Sequence, residues 1–311
     1  MGVSGHRDLD PAELPRLKDA VAEFVTQLKS YLPDTEVHLV AGMASGADLL
    51  VVETALSLNV QVEAVLPMPL DQYAADFEPD ALEHLKELLR HPRVHCVELR
   101  ADTRESRGAA PLSPVDSRNA LYAKLSDTLI RRSSLLLGLW DGRPPHLSSG
   151  AADTVLRYLG VRPDESQGAD ALRFVSEVEE PDPRTRLVYW VPTARINAKL
   201  PPPERLPCYL SGAGDNTLQA HAGMPSCLKT QLRQFNDYNL EFRTLSESGR
   251  LGMPGSLLTP LPRPDARSRS ELLEDINAQY TKADALAVYY QRRSDRLFHL
   301  FAIMAFAMGI A

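Results

Sequence analysis

Hydrophobic positions along the first half of the chain alternate between two periods. Between Pro11 and Tyr31 they recur at steps of three and four, which predicts the buried face of a helix, and short continuous apolar runs separate such stretches. Continuous apolar strands between helices are typical of a parallel sheet covered on both faces. Residues 1–195 are therefore predicted to form an α/β domain, a Rossmann-like parallel sheet with helices on both faces. The predicted helices are 11–31, 47–58, 82–89, 119–132 and 151–159, and the predicted strands are 1–4, 37–41, 60–66, 93–99, 135–140 and 187–191.

Residues 194–265 show a different pattern, because nine prolines interrupt them and no period is sustained. A proline removes a hydrogen-bond donor from a strand, so this segment is predicted to leave the sheet and to contribute no strand to it. One helix, 225–238, is predicted inside it, and the helical period returns at Ser268. The predicted domains are therefore the sheet domain 1–195, a proline-rich insertion or linker 196–267, and a long C-terminal helix 268–311.

The last fifteen residues, 297–311, are apolar except for His299. A helix that crosses a bilayer needs about 20 apolar residues, so this run is either a buried helix or the first part of a membrane helix. Apolar residues on every face, and a preceding cluster of arginines, favour the membrane helix with the arginines on the cytoplasmic side. We expect a cytoplasmic α/β domain attached to a membrane through this segment, whose apolar side chains stay uncovered in this chain. The arginines are Arg292, Arg293 and Arg296.

Composition limits the classes of partner. The 311 residues carry a formal net charge of −7, which argues against a protein that wraps nucleic acid but leaves room for local basic sites. The three cysteines have no framework spacing and the N-terminus has no apolar signal-peptide core, so a reducing compartment is predicted. No metal site and no cofactor are expected, because the P-loop and HExxH motifs are absent from the sequence and Pro92 separates His91 from His95.

Three glycine-rich turns, 2–7, 42–48 and 140–153, follow predicted strands. Ligands of parallel sheets bind at the carboxyl ends of strands, where the N-terminal amides of helices attract phosphate or carboxylate. We predict that Arg7 and the 42–48 turn form one anion site. Each turn also has a purely structural explanation, since glycine suits a positive φ angle. Tyr73 and Phe77 fit either stacking on a base or core packing.

The segments GVSGHRDL, AGMASGADLLVVETAL, VLPMPLDQYAADF, LGLWDG and SSGAADTV together resemble the SLOG superfamily. This Rossmann-like group includes the LOG phosphoribohydrolases, the DprA-like proteins and the N-terminal nucleotide sensors of TRPM channels. The resemblance covers about residues 1–195 and implies a nucleotide site at the three turns. The ligand-binding residues that it implies are Ser4, Gly5, His6, Arg7, Gly42, Ser45, Gly46, Asp48, Asp141, Gly142 and Gly150.

The chain departs from this family at the catalytic motif. LOG enzymes carry PGGxGTxxE, in which the Glu and a separate Arg serve N-glycosidic cleavage. Thr154 stands where the Glu is expected, and Asp153, one residue earlier, points about 100° away around a helix. The weak catalytic candidates that remain are Asp153 or Glu53, acting with Arg7.

The helix that leads into the apolar C-terminus resembles the start of a SLATT domain, a two-transmembrane effector module. Together the two resemblances imply a sensor of a nucleotide or nucleotide-derived second messenger, coupled to a membrane effector in bacterial signalling or defence. The alternative is an N-glycosidase that processes nucleotides. The expected partners are a nucleotide-like small molecule and a membrane, while self-association and the identity of the nucleotide stay open.

Overall fold

The computed structural model of the chain describes residues 1–99, 114–145, 149–161, 172–176, 180–196, 202–213, 217–251 and 267–309. They belong to two compact units, Met1–Arg233 and Gln234–Ala311. The strands are β1 (Gly2–Gly5), β2 (His38–Ala41), β3 (Gln61–Leu66), β4 (Val94–Glu98), β5 (Leu136–Trp140), β6 (Arg173–Ser176), β7 (Val188–Pro192), β8 (Cys208–Gly212) and β9 (Thr217–His221). The helices are α1 (Leu14–Ser30), α2 (Ala47–Ser57), α3 (Leu70–Tyr73), α4 (Pro79–Leu89), α5 (Pro114–Arg132), α6 (Ala151–Leu159), α7 (Ser226–Glu247) and α8 (Arg267–Gly309).

In the described part of the first unit, nine strands form one sheet in the order β4-β3-β2-β1-β5-β7-β8-β9-β6. Neighbouring strands are parallel except for β8, which is antiparallel to both β7 and β9. The chain builds outward from β1 through β2 and β3 to β4, then crosses to the other side of β1 to form β5. A topological switch point therefore lies between β1 and β5, where open α/β sheets bind their ligands.

Alternating side chains of the sheet pack against helices on its two faces. Leu39 and Ala41 belong to the core that α1 and α2 cover, whereas Val40, between them, packs against Leu125 and Leu129 of α5. The same alternation holds in β5, where Leu136 and Trp140 join the core that α6 covers. This arrangement confirms the predicted Rossmann-like fold with helices on both faces.

Two strands lie inside the proline-rich segment, so the prediction that residues 194–265 contribute no strand is wrong. Both β8 and β9 belong to the main sheet. Neither strand contains a proline, and Pro207 is the residue immediately before β8. The sheet thus continues beyond residue 195. Residues 197–201, 214–216 and 252–266, which hold five of the nine prolines, lie outside the described residues.

An aromatic cluster joins β5, β6 and β7. Trp190 is fully buried, stacks on Phe174 with 4.9 Å between ring centroids, and donates its indole N–H to the carbonyl oxygen of Trp140 at 2.8 Å. Trp140 is fully buried as well, and its centroid lies 5.9 Å from that of Trp190. The cluster ties the predicted strands β5 and β7 to β6, a strand that the hydrophobic pattern did not predict.

In the second unit, Lys282 of α8 lies over two aromatic rings of α7, 4.7 Å from the ring centroid of Tyr238 and 5.1 Å from that of Phe242. The long C-terminal helix is confirmed. Its described apolar side chains near the end are 44% to 71% exposed, as expected for an uncovered surface. Among the described residues, we find no helix with the length and apolar character needed to span a membrane. These exposed side chains are Leu297, Phe298, Leu300, Phe301, Ile303 and Met304. Residues 310 and 311, and the side chains of 302 and 305–309, lie outside the described residues.

Replacing Trp190 with Phe tests the aromatic cluster. The smaller ring leaves a gap between Phe174 and Trp140 and removes the indole hydrogen bond, so we expect the free energy of unfolding to fall by about 2 kcal/mol. Urea unfolding followed by circular dichroism measures this loss. The Leu206→Ala change, at a side chain that is 85% exposed, serves as the control and should leave stability almost unchanged. Equal midpoints for the two variants would contradict the packing described here.

Candidate functional site

A cavity of about 390 Å³ opens at the carboxyl ends of β1, β2 and β5, beside the switch point. Pockets that bind small ligands have volumes of about 300–1000 Å³, so this cavity is of sufficient size. Its lining combines the turns after β1, β2 and β7, the inner faces of α3 and α5, and the start of α6. The lining residues are Ser4, Gly5, His6, Arg7, Asp8, Ala44, Asp48, Tyr73, Asn119, Tyr122, Leu125, Ser126, Leu129, Ser149, Gly150, Ala151, Thr154 and Arg195.

The turns after β1 and β2 touch through their backbones. Ala47, the first residue of α2, donates its N–H to the carbonyl oxygen of His6 at 3.0 Å. Gly46 has φ +82°, and a Cβ atom there would lie only 2.3 Å from the carbonyl oxygen of Arg7. The turns therefore approach this closely only because residue 46 is glycine. The contact brings Arg7 and the 42–48 turn to one cavity, while their joint action as an anion site stays a prediction.

Asp48 projects from the first turn of α2 into the cavity wall and is only 6% exposed. Its Oδ2 accepts a hydrogen bond from the N–H of Ala44 at 3.2 Å, and the N–H of Gly42 also donates to this carboxyl. Two amides of the turn are therefore directed at its own carboxyl group. Burial raises the pKa of Asp48 to about 7, although these amides and the nearby Arg7 act in the opposite direction.

Arg7 is held on the cavity wall by aromatic side chains. Its guanidinium carbon lies 5.3 Å from the ring centroid of Tyr122, within the range of a cation–π contact. The Tyr122 hydroxyl donates to Asp76, which also accepts from Arg118. A network that joins α5 to the segment after α3 therefore orients the ring beneath Arg7. Burial, followed by the hydrogen bond to Asp76, raises the pKa of Tyr122.

Tyr73 is fully buried and also lines the cavity. Its hydroxyl donates to the carbonyl oxygen of Gly42 at 3.1 Å, and its ring meets Phe77 edge-on with 4.9 Å between centroids. Burial is the main cause of its strongly raised pKa, which keeps the hydroxyl protonated. Core packing therefore accounts for the Tyr73–Phe77 pair, while the edge of Tyr73 contributes to the wall of the cavity.

A second charged network lies at the ends of β1, β5 and β7. His6 Nε2 is 3.1 Å from Asp141 Oδ1, and Arg195 reaches both Asp8, with Nε to Oδ1 at 2.9 Å, and Asp141, with Nη1 to Oδ2 at 3.5 Å. Burial alone would raise the pKa of Asp141, but His6, the N–H of Arg143 and Arg195 together lower it. A smaller cavity of about 150 Å³ adjoins this network and shares His6, Gly150, Ala151 and Arg195 with the larger one.

Arg195 is a site residue that the sequence analysis missed. It lies three positions beyond β7, at the same sheet edge as the three glycine-rich turns, and that position is the signal that could have identified it. Its loop pairs with the turn after β1: Asp10 donates its N–H to the carbonyl oxygen of Ala194 at 3.1 Å. The described α5 residues that line the cavity were missed as well, since nothing local connects them with the turns: Asn119, Tyr122, Leu125, Ser126 and Leu129.

At the start of α6, Thr154 lines the cavity, whereas Asp153 contacts the residues four positions before and after it. Thr154 Oγ1 donates to Ser126 Oγ at 3.0 Å, and both residues line the cavity. Asp153 Oδ2 accepts the N–H of Ser149 at 2.9 Å and lies 3.6 Å from Arg157 Nη1. Glu53, the other carboxylate candidate, pairs with Lys18 at 2.9 Å with about half of each side chain exposed. The structure thus brings Arg7 into the cavity, whereas Asp153 and Glu53 are engaged in other contacts.

The remaining candidates divide in the same way. Ser4, Gly5, His6, Arg7, Asp48 and Gly150 line the larger cavity, and Asp141 lines the smaller one. The carbonyl oxygen of Gly42 accepts a hydrogen bond from Tyr73, which lines the larger cavity. Gly142 has φ +77°, and a Cβ atom there would lie 3.1 Å from the ring of Trp190, so backbone conformation and packing both favour glycine at this position. Ser45, Gly46 and Gly142 are not among the residues that line either of these two cavities.

No protein-family model matches the chain, and no curated protein matches it. Among solved structures, the chain is similar to DNA processing protein A (DprA) from Streptococcus pneumoniae, with 15% sequence identity and a TM-score of 0.32. The similarity covers 57% of this chain and 50% of that structure, so the chain spans half of its length. Membership of the SLOG superfamily stays a prediction.

Two glycine variants test the contact between the turns. Gly46 and Gly160 both have positive φ angles, but a Cβ atom at Gly160 meets nothing within 4 Å. We expect Gly160→Ala to cost about 1 kcal/mol of stability from backbone strain alone. Gly46→Ala should cost at least ~2 kcal/mol more, because the new methyl group collides with the backbone of Arg7. Chemical unfolding of both variants measures the difference, and equal costs would be inconsistent with the close approach of the turns.

Proposed function

We propose that the protein binds a nucleotide or nucleotide-derived second messenger in the larger cavity and acts as a sensor of it. The observation that carries this proposal is the position of the cavity: it lies beside the topological switch point and has Arg7 in its wall. A guanidinium group binds phosphate oxygens through two parallel hydrogen bonds.

The N-terminus of α6 favours the binding of a phosphate group in the larger cavity. Gly150 precedes the first turn and has no side chain with which to cap the backbone amides, and Gly150 and Ala151 both line the cavity. Free N–H groups and the helix dipole favour an anion at such a position. Arg7 shares the cavity with them and adds a full positive charge.

The other walls suit the remainder of a nucleotide. Tyr122, Leu125 and Leu129 present aromatic and apolar surface, which favours the flat face of a base. Asn119, Ser126 and Thr154 add groups that donate and accept hydrogen bonds, as ribose hydroxyls and base edges require. A mixed wall of this kind fits a nucleotide better than it fits inorganic phosphate.

Binding is favoured over hydrolysis because of the residue at position 154. The side chain that faces the cavity there is a threonine, which cannot act as a carboxylate base. Asp153 and Glu53 are held by Ser149, Arg157 and Lys18. A sensor needs only the binding groups that the cavity retains.

The nucleotide proposal is tested by calorimetric titration with nucleoside monophosphates, cyclic nucleotides and NAD. We expect one of these classes to bind, and Arg7→Met to weaken that binding by about 10- to 100-fold through loss of charge-assisted hydrogen bonds. The matched control is Arg184→Met, at an arginine side chain that is 91% exposed, and it should bind like the parent protein. If no probe binds, or if Arg7→Met binds normally, the proposal is wrong. Release of free base at enzymatic rates would favour the N-glycosidase instead.

We also propose that the C-terminal end of α8 couples the sensor to a membrane. Exposed apolar side chains on successive turns favour insertion among lipid chains, and the exposed Arg292, Arg293 and Arg296 precede them. Arginines next to an apolar segment attract anionic lipid headgroups. The two features favour contact with an anionic membrane surface.

Flotation with phosphatidylcholine vesicles, prepared with and without phosphatidylserine, tests this coupling. We expect the protein to float with vesicles and to do so more completely when phosphatidylserine is present. Changing both Phe298 and Phe301 to Asp should abolish flotation, since the charges oppose burial in lipid. Val115→Asp, at an exposed apolar residue of α5, is the control and should float normally. Flotation of the double variant would contradict the proposal.

A further inference from the structure

Charged groups of opposite sign balance in the wall of the larger cavity. Among the described residues, the charged side chains that line it are two arginines, Arg7 and Arg195, and two carboxyl groups, Asp8 and Asp48. Arg195 is engaged by Asp8 and by Asp141 outside this wall. The charge left to attract an anion is therefore that of Arg7, and an ionised Asp48 in the same cavity would oppose it.

In the part of the chain that the structure describes, few other groups around Asp48 could neutralise its ionised carboxyl. The turn after β1 contributes Arg7 and His6, and α3 contributes Tyr73, whose hydroxyl donates to the carbonyl oxygen of Gly42. From α5, Tyr122 donates to Asp76, and the cavity residues of α6 are Ala151 and Thr154, which do not titrate. Of the residues described, Arg7 is thus the cation that acts on Asp48, and a bound phosphate would compete for it.

A protonated Asp48 fits its hydrogen bonds as well as an ionised one. The N–H groups of Gly42 and Ala44 need only acceptor lone pairs, which a neutral carboxyl group keeps. Protonation adds an O–H donor that the ionised form lacks. Burial already raises the pKa of this group to about 7, so little free energy separates the two forms at neutral pH.

We propose that Asp48 contacts the bound ligand in its protonated form, so that each anionic ligand binds together with one proton. This inference rests on the proposed nucleotide function and deepens it. Protonation removes the negative charge that opposes the phosphate and leaves Arg7 free to pair with it. The ligand accordingly presents a hydrogen-bond acceptor to Asp48, which a phosphate oxygen or a base carbonyl can supply.

The proton uptake is measured by calorimetric titration with cyclic AMP in two buffers that differ in ionisation enthalpy. Cyclic AMP is a phosphodiester whose single charge does not change between about pH 6 and pH 8, so any linked proton belongs to the protein. We expect uptake approaching one proton near pH 8 and an affinity that falls up to about tenfold per pH unit above pH 7. Asp48→Asn should bind with no such slope.

A second measurement needs no ligand. The pKa of Asp48 is raised in the folded state. The stabilisation that protonated Asp48 provides is therefore complete at pH values below the pKa of Asp in the unfolded chain, and it is lost as the pH rises to about 7. The free energy of unfolding of Asp48→Asn, relative to that of the parent, should therefore increase across this range. A constant difference would show that Asp48 is ionised throughout and would overturn the inference.

Binding of cyclic AMP without proton uptake would overturn the inference too and would leave the nucleotide proposal standing. Absence of binding by every nucleotide probe would defeat both.

Discussion

The backbone contact between the turns after β1 and β2 determines where the charged groups of the site lie. Ala47 is bonded to the carbonyl oxygen of His6, and Gly46 leaves no Cβ between the two chains. Arg7 therefore leaves its turn directly beside the first residues of α2, and Asp48 is held across the same cavity. A side chain at position 46 would push the two turns apart, and with them the residues that carry the guanidinium and the carboxyl group.

Much of the fold was predictable because its central strands are buried on both faces. Such strands are near-continuous apolar runs, as in β5 and β7, whose residues are all buried, and in the buried ends of β2 and β3. The far side of the sheet was not predictable in this way, since β6, β8 and β9 mix polar with apolar residues, and β8 and β9 lie in the proline-rich segment. Proline removes a hydrogen-bond donor only at the residue that it occupies, and Pro192 is itself the last residue of β7, so the restriction does not extend to a whole segment.

The site shows the same division between local and distant information. Strand-end position placed Arg7, His6 and Asp48 correctly at one sheet edge, and helical geometry separated Thr154 from Asp153. Tyr122 and Arg195 depend on how α5 crosses the sheet and on how the loop after β7 pairs with the turn after β1. Contacts between residues so far apart in the chain leave no trace in periodicity or spacing.

The aromatic cluster has a practical consequence for the optical properties of the molecule. The chain contains two tryptophans, and both lie in this cluster, with their rings 5.9 Å apart. Trp140 is the last residue of β5 and immediately precedes Asp141. Intrinsic tryptophan fluorescence therefore originates from one buried position at the rim of the candidate site. Its intensity and emission maximum will report on the surroundings of that rim, and the two indoles are close enough to exchange excitation energy.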